Sequence, residues 1–226
     1  MLQKEFYKFR LFYYGLCLIY AVFCLYFYLQ LRLDMLSSSR LQLNLSFLLE
    51  GKFSFSYLLE LNMATALCIG SLVAYREREL GRMRLSLLLP RRKGYIISYL
   101  LLTGLAFVFA LYLLIFIYFY FMLGFFYEQL IREQILSVLL ANYLFCAVLY
   151  LYCFALLLEP SRLRACLHFV LLLISGKIYY HLNPEIYAQK SFYENDYAFI
   201  YLALMLIYSL LSALLVFSNY QRGYIK

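Results

Sequence analysis

Charge is what this sequence has least of. Only 14% of its 226 residues are Asp, Glu, Lys or Arg, against roughly a quarter in an ordinary soluble domain. With 66% of residues hydrophobic, no soluble fold of this length could hide so much apolar area, which leaves the bilayer as the solvent. Tryptophan is absent altogether, and 26 Tyr stand in for it as interfacial belt and helix-packing residues. Six Cys occur at 17, 24, 68, 146, 153 and 166 with no CxxC spacing and none in an outer loop, so a disulfide framework or thiolate metal site is not expected. They read as small apolar packing residues.

Several chemistries are missing as well. There is no HExxH zinc motif and no Walker A loop. The Gly-x-Ser-Gly stretch of an intramembrane serine protease, the Asp-rich pair of a headgroup transferase and the His set of a lipid phosphatase are also absent. The expectation is a chain that is not itself an enzyme and draws its energy from a partner or a gradient. A net charge of +8 would point to nucleic acid in a soluble protein; here the placement of the charge matters more than its sum.

What is present is a set of six continuous apolar runs, at 11–31, 57–75, 95–123, 135–158, 165–182 and 197–217. Each can cross about 30 Å of hydrocarbon as a helix. The third is too short for two spans and reads as one tilted or extended helix. Barrel strands would alternate every second residue, and these runs do not. The predicted fold is therefore all-α: one polytopic membrane domain over 1–226 with six transmembrane helices.

Orientation follows from the basic residues. With the N-terminus in the cytoplasm, Lys4, Lys8, Arg10, Arg76, Arg78, Arg82, Arg84, Arg91, Arg92, Lys93, Arg162, Arg164, Arg222 and Lys226 lie inside. Arg32, Arg40, Lys52, Arg132, Lys177 and Lys190 lie outside. That bias predicts an N-in, C-in topology. No cleavage site follows the first run, so the N-terminus does not read as a signal peptide. In MLQKEFYKFR, Leu2, Phe6, Phe9 and Tyr13 share a helical face opposite Lys4, Glu5 and Lys8, which fits an interfacial helix over 1–10. Ordinary flanking charge before a span is the alternative.

The polar connections carry less. Residues 32–56 fit either a small outer-leaflet helix or a hairpin, and 181–196, with Pro184 and several Tyr, fits a partly re-entrant cap. Ionisable or polar groups inside spans are functional candidates. Glu60 and Asn62, early in the second run, either face a translocation path or reach headgroup water. His168 and His181 could each serve a haem or a proton relay. At 13 residues apart, about 20 Å along a helix, they cannot share one iron.

The charge that the spans lack is concentrated in one place: YRERELGRMRLSLLLPRRKG, residues 75–94, holds seven Lys or Arg. Leu80, Met83, Leu87 and Leu88 fall on one helical face, with Glu77, Arg78, Arg82 and Ser86 elsewhere. Pro90 ends that helix, and Arg91, Arg92 and Lys93 anchor the chain at the membrane surface. Topology fixing and anionic-lipid binding would need only the last three. Interleaved Glu and Arg on a sixteen-residue amphipathic helix suit docking into a groove of a cytosolic protein.

Here the sequence resembles the permeases of ABC-2 type exporters, in which an interfacial helix precedes six spans and a coupling helix joins spans two and three. The matching residues are Glu77 or Glu79, Gly81, Leu85, Leu88, Pro90 and Arg91, with the nine-residue step from Gly81 to Pro90. Arg82 stands where that family usually has Thr or Ser, and Tyr99 or its neighbours where a Lys is common. The short length, without a large outer domain, looks like the haem-exporter permease B subfamily. The resemblance implies a coupling helix over 76–92 whose docking residues are Glu77, Arg78, Glu79, Leu80, Gly81, Arg82, Met83, Leu87, Pro90 and Arg91. It further implies a cytosolic ABC ATPase as partner, holding the ATP and Mg, and a second permease copy or paralogue. No cofactor is expected on this chain itself, and its partners are membrane lipids rather than nucleic acid. A bacterial inner membrane is the expected location. The rival reading is a membrane scaffold or assembly factor whose basic loop binds anionic lipid or a partner; a secondary transporter would show more midplane charge.

Overall fold

A computed structural model describes residues 2–37, 39, 41–42, 44–45, 56–79, 93–182 and 197–221, with side chains over 10–37, 39, 41–42, 44–45, 57–75, 101–182 and 197–219. Within them lie six long helices: α1 Leu2–Ser37, α2 Ser56–Glu79, α3 Lys93–Phe126, α4 Gln129–Leu158, α5 Arg162–Leu182 and α6 Ala198–Gln221. All six are long and apolar enough to cross a membrane. In hydrocarbon a backbone must satisfy its own N–H and C=O groups, and a continuous helix does so at every residue. The chain is an integral membrane protein built of helices.

Where helices end, the cause is local. Glu159 precedes Pro160, which excludes the helical region for the residue before it. Glu159 accordingly turns extended, at φ −65° and ψ 121°, while its N–H still closes the last turn of α4 on Ala155. Between α3 and α4 the break spans only Tyr127 and Glu128. The Tyr127 N–H reaches back to the Leu123 carbonyl at 2.8 Å, and Glu128 is extended at ψ 160°.

One expectation changes and one holds. Residues 2–10 are not set apart as a separate interfacial helix: the backbone is helical without a break from Leu2 to Ser37. At about 1.5 Å per residue, α1 is about 54 Å long, well beyond the hydrocarbon. The third apolar run is a single helix, also longer than one span needs.

The architecture is a shell around α4. About 78% of its span is buried, against 17% for α5 and 22% for α1. From Ala141 to Ala155 nearly every side chain of α4 is covered, the pattern of a helix apolar on all sides. It packs on α2 and α6 most extensively, then on α5 and α3, while α1 leans on α3. Lipid tails are as apolar as Leu, so helices in a membrane associate through close packing and hydrogen bonds rather than through the hydrophobic effect. Close approach comes from two glycines. A Cβ on Gly104 of α3 would sit 2.7 Å from the Tyr150 Cζ, and one on Gly70 of α2 would sit 3.2 Å from the Tyr150 backbone oxygen. Aromatic pairs join the other seams. Tyr13 stacks on Phe107 at 4.3 Å, Phe27 meets Phe119 at 6.0 Å, and Phe154 meets Phe217 at 5.7 Å.

Candidate functional site

The polar groups inside the bundle gather at two places. The first surrounds Asn142, midway along α4. Its carboxamide Oδ1 accepts from the Asn62 Nδ2 of α2 at 2.9 Å, and its own Nδ2 donates to the Tyr179 hydroxyl of α5 at 3.3 Å and the Leu59 carbonyl at 3.4 Å. Asn62 Oδ1 accepts from the Tyr20 hydroxyl of α1 at 2.8 Å, and Thr65 Oγ1 offers that same proton a second acceptor at 3.1 Å. Tyr112 of α3 donates to the Asn62 backbone carbonyl at 2.6 Å. Five helices are thus joined by one chain of hydrogen bonds. Stacked rings brace it: Tyr112 on Tyr143 at 4.7 Å, and Tyr179 on Phe145 at 3.9 Å. The Tyr143 hydroxyl beside it is buried with no partner.

Asn62, expected to face a path or headgroup water, is instead covered within this network: its exposure is 0%, as is that of Asn142. Glu60, two residues earlier, lies on the exposed side of α2. A helix turns by about 100° per residue, so two residues separate the faces. Every member of the network is neutral in water near pH 7. It therefore fixes the rotation and register of the helices, and low dielectric strengthens each of its bonds.

The second place is the α4–α5 corner. The Glu159 side chain, 1% exposed, has Oε1 3.4 Å from the Ser161 N–H and 3.9 Å from the Arg164 Nη1. Its Oε2 lies 3.4 Å from the Asn219 Nδ2 of α6 and 3.9 Å from the His168 Nε2. One carboxylate thus faces α5 and α6 together, at distances that are long for hydrogen bonds. His168 is buried, and its Nδ1 has no partner; His181, at the far end of α5, is exposed. The two histidines are not brought together, and no group of three or more His, Cys, Asp or Glu is assembled among the described residues.

Of the docking residues expected over 76–92, Glu77, Arg78 and Glu79 form the backbone of the last turn of α2. Leu80, Gly81, Arg82, Met83, Leu87, Pro90 and Arg91 lie outside the described residues. The cysteines divide: Cys146 and Cys153 are buried packing residues as expected, but Cys17, Cys68 and Cys166 lie on the outside of the bundle.

No family model, no curated protein and no solved structure matches the chain. Sequence reading passed over Asn142, Tyr20, Tyr112 and Tyr179. The available signal was Asn142 itself, the one carboxamide in the otherwise apolar run 135–158: a polar side chain in a buried span needs a partner on another helix.

Proposed function

We propose that the chain is the membrane-spanning subunit of an ABC exporter, with both termini in the cytoplasm, coupled to a separate ATPase through residues 76–92. One observation carries this reading. The apolar run in α2 ends at Tyr75, before Arg76, but the helix continues to Glu79, and α3 begins at Lys93, next to Arg91 and Arg92. The Glu77–Arg78–Glu79 stretch is thus a stiff extension of a span, and the connection joins two helices that both close on Tyr150 at Gly70 and Gly104. Force applied to the connection is delivered to α4. ATP, with its Mg, closes the partner subunits; Glu77, Arg78, Glu79 and Arg82 supply the polar contacts to them, and Leu80, Met83 and Leu87 seat the helix. Because Asn62 and Asn142 close the interior of one chain, cargo passes between two permease copies rather than through α4.

The test is a pull-down of the tagged chain from its native membrane in mild detergent. A stoichiometric P-loop ATPase, lost in Glu79→Ala/Arg82→Ala while insertion is kept, is the expected result. Recovery of the chain with no ATPase would overturn the proposal.

The scaffold reading has its own observation: the buried network is neutral and closed, as a purely structural pin would be. It requires the 75–94 segment to tolerate loss of Glu77, Glu79 and Leu80 as long as its positive charge remains. The same variants decide between the two.

A further inference from the structure

The outer wall of the bundle between α5 and α6 holds a groove of about 710 Å³ that the transport reading does not use. Ile174, Lys177, Ile178 and His181 line it from α5, at the i, i+3, i+4, i+7 spacing of one helical face. Tyr180 borders it from α5, and Tyr201 walls it from α6. Its depth is graded. Lys177 and His181 lie in the last two turns of α5, nearer its C-terminal end than Ile174. Ile174 lies deeper. No carboxylate lines the groove among the described residues. Ile174 is 48% exposed and Tyr201 is 48% exposed, so the groove opens outward into lipid.

From this geometry we infer that the groove is a binding site for an anionic phospholipid of the leaflet facing the α5–α6 connection. The Lys177 ammonium meets the phosphate, His181 and Tyr201 donate to its oxygens, and the acyl chain runs down Ile178 and Ile174. A lone lysine near a helix end needs only water, which it reaches by extending its stem. Here it shares a concave surface with two further donors, and apolar walls continue beneath them. That combination matches a charged head on a hydrocarbon tail rather than a soluble anion, which would leave Ile174 and Ile178 unoccupied.

The absence of tryptophan makes the test clean. Tyr180→Trp in the full chain is a single fluorescent reporter at the border of the groove, and it leaves Lys177, His181 and Tyr201 in place. It is reconstituted in phosphatidylcholine bilayers with brominated phosphatidylglycerol or brominated phosphatidylcholine at equal mole fraction. Preferential quenching by the phosphatidylglycerol is expected, at about fivefold local enrichment, what one Lys near an anionic surface supplies. Lys177→Gln/His181→Gln should erase the preference, Lys177→Arg should keep it, and Leu114→Trp on the exposed surface of α3, outside the groove, should never show it. Equal quenching by both lipids would overturn the site. So would quenching by neither, which would mean that lipid does not reach the groove. The same preference at Leu114→Trp would reduce it to the general charge of the chain, and loss of the preference on adding inorganic phosphate would assign the groove to a soluble anion.

Discussion

At Asn142 a single side chain serves three partners, and its removal separates two costs. Asn142→Leu fills the space but leaves the Asn62 Nδ2 and the Tyr179 hydroxyl without it. Stranding a buried donor costs about 1–3 kcal/mol, so thermal unfolding in detergent should show a clear drop in midpoint. Asn62→Leu/Asn142→Leu removes both carboxamides, and the double variant should lose less than the two single losses added together. Strict additivity would show that the two side chains do not interact. Gly104 sets a complementary limit by volume. Gly104→Ala drives a methyl into the Tyr150 ring and should destabilise by about 1–3 kcal/mol, as overpacking does. Tyr150→Leu in that background should recover stability, because the clash is with the ring. Tyr127, between α3 and α4, gives a pH signature. Burial first, and Asp34 second, push its hydroxyl up to about 12. The fold therefore favours the neutral phenol. This contribution is complete below pH 10 and is lost as pH rises from about 10 to 12, a loss that Tyr127→Phe should remove from the unfolding curve.

Among the elements, the spans were legible because a membrane helix announces itself by length and continuous apolarity, which a single sequence carries in full. Position around a helix is not carried in the same way. Asn62 was read by its distance from the end of a run, which places it near water. Its packing on α4 depends on the direction in which that residue points, and only neighbouring helices define it. Tyr20, Tyr112 and Tyr179 were indistinguishable from the other tyrosines for the same reason: the sequence holds 26 of them, and partnership is a property of pairs of helices. The α4–α5 corner shows the reverse case, since Pro160 marks it outright. Pro160→Ala frees Glu159 from its extended backbone. The expected outcome is a looser corner, seen as faster alkylation of a cysteine placed at 168 than in the same variant with Pro160 intact; equal rates would mean that the corner is held by Asn219 and Arg164 alone.

Across the whole molecule, α4 has the position that a hydrophobic core has in a soluble domain, while α1 and α5 stand at the rim with most of their spans uncovered. The polar network stitches rim to centre, because Tyr20 and Tyr179 come from those two least buried helices. A transporter that rocks helices against one another would do so at the rim, leaving the α2–α4 contact intact. Under the transport reading, cysteine crosslinking of α2 to α4 should therefore leave transport unchanged, whereas crosslinking α1 to α3 should reduce it.

Within this sequence the central helix is made after three others. Three spans must wait in the bilayer before the element that organises them arrives, with Asn62, Tyr20 and Tyr112 meeting lipid or one another in the interval. In a nascent chain halted after α3, Tyr20 and Tyr112 can already reach Asn62, but the Asn62 Nδ2 has no Asn142 to close on. Completion of α4 is the step that satisfies it.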